Sequence, residues 1–160
     1  MFRIKRTSDV FKREKAMNLR VCVIGLGYIG LPTASLLATK GFHVLGVDIN
    51  TDVVAKINKG LIHIVEPGLD VLVKSAIHSG NLKANTKPDC ADIFIIAVPT
   101  PFDQNKKPDI SYIQAATDSI APHLKENNLI ILESTSPVGT TKKIQRQIQK
   151  RRPDLNNIYL

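Results

Sequence analysis

Apolar residues in this chain fall into two kinds of run that take turns. Short, β-branched, continuous stretches read as strands buried on both faces, and longer stretches spaced three and four apart read as helices. The first strand is Arg20-Val21-Cys22-Val23-Ile24. Ile29, Leu36 and Leu37, interleaved with Ala34, Ser35 and Ala38, then make a helical pattern that ends at Gly41, with Pro32 tolerable only in its first turn. Phe42 to Val47 is a second strand. Helices follow at Asp52–Lys59 and Pro67–His78, a weak strand at Leu82–Thr86 and a strong one at Ile93–Val98. A helix at Ile110–Leu124, a strand at Leu129–Leu132 and a helix at Val138–Arg151 complete the series, and Ile158-Tyr159-Leu160 opens one more strand. Strict alternation of this kind predicts an α/β fold built on a doubly wound parallel sheet. Because the chain stops inside an apolar strand, the sheet is expected to be cut near its sixth strand.

The turn between the first strand and helix, "GLGYIG", holds glycines at 25, 27 and 30. Glycines at this spacing mark many turns for backbone reasons alone. Here they sit between a strand and a helix, and Asp48 ends the next strand about 20 residues on, where a dinucleotide site places an acid for the ribose hydroxyls. In that reading Gly25 makes the turn, Gly27 lets the backbone approach a pyrophosphate, and Gly30 lets helix and strand pack closely. The helix N-terminus offers free N–H groups and partial positive charge to the phosphates. Ile49 and Asn50 follow Asp48 with no arginine to receive a 2′-phosphate, so NAD is favoured over NADP.

Composition narrows the class without changing it. The 160 residues suit one domain with a real core, and 43% hydrophobic content argues against disorder. No apolar run approaches the roughly 18 residues of a membrane span, and the first residues lack a secretory pattern, so a cytoplasmic location is expected. The formal charge of +8 is uneven: residues 1–17 carry six basic and two acidic groups, and 142–152 carry six basic and none acidic. The stretch between them is slightly acidic, and no aromatic residues interleave with the basic ends, which argues against a nucleic-acid partner. Residues 1–18 read as a basic extension ahead of a domain at 19–160. Cys22 and Cys90 form no C-x-x-C pair and read as incidental thiols, and the four histidines show no ligand spacing, so no metal site is predicted.

Two more stretches leave strands where ligands of such sheets collect. "AVPTPF" (97–102) carries Pro99 and Thr100, and "ESTSPVGTT" (133–141) carries Thr135, Thr140 and Thr141. Their hydroxyls read equally as helix caps or as ligand contacts.

Together, "VIGLGYIGLP", "GVDIN", "IHIVEPGL", "AVPTPF" and "ILESTSPVGTT" resemble the nucleotide-sugar dehydrogenases of the UDP-glucose/GDP-mannose dehydrogenase family, over roughly 19–160. The resemblance implies a Rossmann-like NAD-binding domain. It implies cofactor contacts from Tyr28 and Ile29 beside the three glycines, from Asp48 on the adenosine ribose, and from Pro99, Thr100, Thr135 and Thr141. Thr135 would also support the reacting centre, while the role of Glu66 stays open. Such enzymes oxidise the C6 alcohol of a UDP-sugar to the acid for cell-surface polysaccharides, reducing two NAD and passing through a cysteine thioester. UDP-N-acetylmannosamine is the expected substrate, with UDP-N-acetylglucosamine and UDP-glucose as alternatives. The catalytic cysteine, its lysine and asparagine helpers, the dimerising central helix and the UDP-binding domain would all lie beyond Leu160. The complete enzyme would be a homo-oligomer, and these 160 residues would be inactive alone. A hydroxyacid-type dehydrogenase domain, or a non-catalytic NAD-binding module, are the competing readings.

Overall fold

The computed structural model describes residues 18–102 and 108–160. All but the last residue of the expected N-terminal extension lies outside them. Five strands, β1 (Arg20–Ile24), β2 (His43–Val47), β3 (Leu82–Asn85), β4 (Ile93–Ile96) and β5 (Leu129–Leu132), form one sheet in the order β3-β2-β1-β4-β5. Every pairing is parallel, so every connection is a crossover and the helices are forced onto the two faces. The order reverses between β1 and β4, the place where such sheets open a crevice at their carboxyl ends.

Side-chain alternation along β1 builds two cores. Val21 and Val23 face α1 (Gly30–Thr39), α2 (Thr51–Asn58) and α3 (Leu69–His78), with Leu31, Ala34, Ile57 and Val73 in the same cluster. Cys22 and Ile24 face α4 (Ser111–Ile120) and α5 (Thr140–Arg151), with Phe94, Ile113, Ile120, Ile144 and Ile148. A strand buried on both faces has no polar alternation, which is why β1 and β4 read as continuous apolar runs. Between α4 and α5, Asp118 accepts from Gln147 Nε2 at 2.8 Å and from Arg151 at 3.0 and 2.9 Å, which holds its carboxyl below the usual value.

Several boundaries move from their expected places, each for a backbone reason. β4 stops at Ile96 rather than Val98, because after Ala97 donates to Ile24 O the chain enters a Pro-Thr-Pro segment. α4 ends at Ile120, and Pro122 carries the chain through a short 3₁₀ turn at Ala121–His123. α5 begins at Thr140, after Gly139 takes a left-handed conformation at φ 87°. The strand expected at 158–160 is reduced to one parallel bridge, Leu129 with Tyr159, on the free edge of β5. No helix among the described residues is long and apolar enough to cross a membrane.

Candidate dinucleotide site at the carboxyl ends of the strands

β1 leaves the sheet through Gly25, whose φ of +93° only glycine adopts freely and whose N–H donates to Val47 O at 2.8 Å. A Cβ at Gly25 would stand 2.6 Å from Ala97 O, and one at Gly30 would stand 1.8 Å from Gly25 O. Both glycines are therefore demanded by the protein's own packing. Gly27 differs, because a Cβ there meets nothing within 4 Å among the described residues. Its missing side chain leaves room outside the protein, the cradle that a close-lying phosphate requires. α1 has no side-chain cap and no acid in its first turn, and the N–H groups of Gly27, Tyr28, Ile29 and Gly30 meet no acceptor among the described residues. Tyr28 and Ile29 stand exposed beside them.

Asp48 follows the last residue of β2 and bridges two segments. One carboxylate oxygen accepts from Leu26 N–H at 3.0 Å and the other from Asn50 N–H at 2.9 Å. Each oxygen keeps a further lone pair, so the carboxylate is oriented without being used up. Asn50 in turn caps α2, its side-chain oxygen accepting from Asp52 and Val53 N–H.

The exits of β4 and β5 are tied together by Ser134, whose hydroxyl donates to Val98 O at 2.7 Å and whose N–H donates to Ile96 O at 3.2 Å. Thr33 Oγ1 donates to Glu133 at 3.3 Å, joining α1 to the β5 exit. Pro99 is exposed and Thr100 half-buried at the β4 exit, while Thr135 and Thr141 are exposed at the β5 exit and the start of α5. None of the threonines after β5 caps α5. Gly139 occupies the cap of α5 with no side-chain acceptor, and buried Thr140 instead donates to Pro137 O at 2.7 Å.

Sequence reasoning missed the bond from Ser134 to Val98, the Thr33–Glu133 pair and the seat of Leu26. Leu26 is fully buried under Gly46 of β2, where a Cβ would come within 2.8 Å of the Leu26 side chain. The thiols stand apart from this site. Cys22 is enclosed in β1, where burial pushes its pKa up to about 12 against the smaller pull of the Asp89 amide. Cys90 lies three residues before the start of β4, at the amino ends, beside a cavity of about 290 Å³ lined by Arg20, His43, Asn81 and Lys83. That cavity is at the wrong end of the strands for a dinucleotide, opposite the carboxyl-end shelf that carries Gly27 and Asp48.

The glycines should separate in a stability measurement. Gly30→Ala should lower stability by about 1–3 kcal/mol or prevent folding, since the clash is with backbone. Gly27→Ala should leave thermal melting within about 0.5 kcal/mol of the parent. Equal losses at both positions would remove the distinction drawn here.

Comparison with known proteins agrees with the geometry. The profile of the UDP-glucose/GDP-mannose dehydrogenase family, NAD binding domain, matches residues 19–159. An NDP-N-acetyl-D-galactosaminuronic acid dehydrogenase of Ralstonia nicotianae is 57% identical over 85% of this chain, which spans 32% of that protein. A UDP-N-acetyl-D-mannosamine dehydrogenase of Campylobacter jejuni is 57% identical over 86% of this chain, which spans 34% of it. The solved UDP-N-acetyl-mannosamine dehydrogenase of Staphylococcus aureus superposes with a TM-score of 0.78 at 46% identity, over 82% of this chain and 32% of that one. The chain thus spans about a third of the length of the relatives it matches. A parallel sheet with this glycine turn and this Asp48, matched from Leu19 to Tyr159, places the chain in the UDP-glucose/GDP-mannose dehydrogenase family, as its NAD-binding domain.

Proposed function

We propose that residues 19–160 hold NAD across the carboxyl ends of β1, β2, β4 and β5, behind a basic extension at 1–18. The domain would serve an enzyme that oxidises the C6 alcohol of UDP-N-acetylmannosamine to the acid for cell-surface polysaccharide. The observation that carries the reading is the pairing of an open Gly27 with an Asp48 carboxylate already fixed by Leu26 N–H. Bound NAD would supply the hydride acceptor for each of two oxidations. The N–H groups from Gly27 to Gly30, unpaired among the described residues, suit the pyrophosphate, with Gly25 and Gly30 shaping the turn and Tyr28 and Ile29 flanking it. Asp48 would accept from the adenosine ribose hydroxyls. Pro99, Thr100, Thr135 and Thr141 would line the rest of the dinucleotide, Thr135 lying nearest the reacting carbon. A second reading, a uronic acid of N-acetylgalactosamine, is favoured by the equal identity to the Ralstonia protein. Assay of the complete enzyme with both UDP-sugars separates the two.

Two outcomes follow. Calorimetric titration should show NAD binding well ahead of NADP, because a carboxylate repels a 2′-phosphate, and Asp48→Ala should weaken NAD by about 1–3 kcal/mol. Equal affinity for the two cofactors would overturn the role of Asp48. The purified 160-residue chain, given NAD and UDP-N-acetylmannosamine, should produce no NADH. Capture of the aldehyde for the second oxidation needs an activated thiol, and neither Cys22 nor Cys90 is placed at the carboxyl ends to provide it. Sustained enzyme-dependent NADH would contradict the reading.

A further inference from the structure

At the amino ends of the strands, opposite the dinucleotide site, three different ligand-bearing side chains come together. Asp89 and Cys90 lie in the segment that leads into β4, and His123 lies in the 3₁₀ turn after α4. One donor atom from each, a carboxylate oxygen, the Cys90 Sγ and an imidazole nitrogen, lies within 4.8 Å of the other two. The histidine is 33 residues away in sequence from the cysteine, so ligand spacing along the chain gave no sign of the cluster, and the absence of a metal site inferred from that spacing does not follow. We propose that Asp89, Cys90 and His123 form a binding site for a zinc-class divalent ion, with the fourth position left to water.

The donor set suits that ion. Thiolate, imidazole and carboxylate are the three protein ligands of zinc, bound at about 2.0–2.3 Å, which puts neighbouring donors of a tetrahedral site about 3.5 Å apart. Donors now up to 4.8 Å apart close that gap by side-chain rotation of about 1 Å, open to an exposed Asp89 and a half-buried Cys90 and His123. A thiolate and a carboxylate also neutralise the ion. The adjoining cavity brings Arg20 and Lys83, and the Arg20 guanidinium is turned to Asp92 at 3.8 Å.

The backbones beneath the three residues are held by other bonds, so the cluster is not an accident of loose loops. Asn128, buried, donates from Nδ2 to Ala91 O at 3.0 Å and accepts at Oδ1 from Lys125 N–H at 2.7 Å, tying the residue after Cys90 to the segment after His123. Arg152 Nη1 donates to Ala121 O and Leu124 O at 3.0 and 2.9 Å, clamping the turn on both sides of His123. Asp89 is itself steered, one oxygen accepting from Cys90 N–H at 2.7 Å. Metal bound here would cross-link the β3–β4 connection to the α4–β5 connection without touching the carboxyl-end shelf.

The test uses the 160-residue chain freed of metal by a chelator and titrated with Co²⁺ alone. One equivalent should raise a thiolate-to-cobalt charge-transfer band together with the visible bands of four-coordinate Co²⁺, and one equivalent of Zn²⁺ should remove both. Cys90→Ser should abolish the charge-transfer band, and His123→Ala should weaken Co²⁺ binding at least about tenfold. Cys22→Ala and His43→Asn should leave the titration unchanged, and circular dichroism of each variant reports that it is folded. Zn²⁺ should raise the melting temperature of the parent chain and not of Cys90→Ser. A folded parent chain that gives no charge-transfer band overturns the proposal. So does a band that survives Cys90→Ser, or one lost in His43→Asn and kept in His123→Ala.

Discussion

The close approach of Gly30 to the carbonyl of Gly25 is the contact on which the rest depends. With no room for even one carbon between them, the first turn of α1 is drawn down onto the end of β1. That fixes where the helix begins, and hence where its first-turn N–H groups are presented. Gly25 reaches across to Val47 O and Leu26 N–H to Asp48, so the same turn registers the end of β2 against the end of β1. A change of backbone at Gly30 would displace the helix terminus, the open edge at Gly27 and the acid together.

Much of this was legible in the sequence because it is local. Continuous apolar runs bounded by glycine and proline mark strands buried on both faces, and β1, β2 and β4 are such runs. The glycine turn and Asp48 lie within one βαβ unit, so spacing alone proposes their roles, and the structure brings them to one edge. What sequence could not show is what two distant segments do when the sheet places them side by side. Leu26 needs Gly46 above it only because β1 and β2 pair with Val23 opposite Gly46. Thr33 and Glu133 are 100 residues apart, and Ser134 acts on the exit of a neighbouring strand. The threonines after β5 looked equally like caps, and only the left-handed Gly139 decides against that reading.

The two ends of the sheet are chemically unlike. The carboxyl ends present a glycine edge, amides that meet no acceptor among the described residues and a fixed carboxylate, which suits an extended anionic dinucleotide. The amino ends present the thiol, carboxylate and imidazole of Cys90, Asp89 and His123, the first two beside a cavity that Arg20 and Lys83 also line. Parallel topology makes the separation, because every strand runs the same way and each end collects its own set of loops.

The central claim is that the dinucleotide lies on the carboxyl-end shelf, and amide chemical-shift mapping of the isotope-labelled chain tests it most directly. Addition of NAD should shift the amides of Leu26, Gly27, Tyr28, Ile29 and Asn50, and leave those of Asn81, Lys83 and Cys90 in place. Shifts confined to the amino-end group, or none at saturating NAD, would contradict the account.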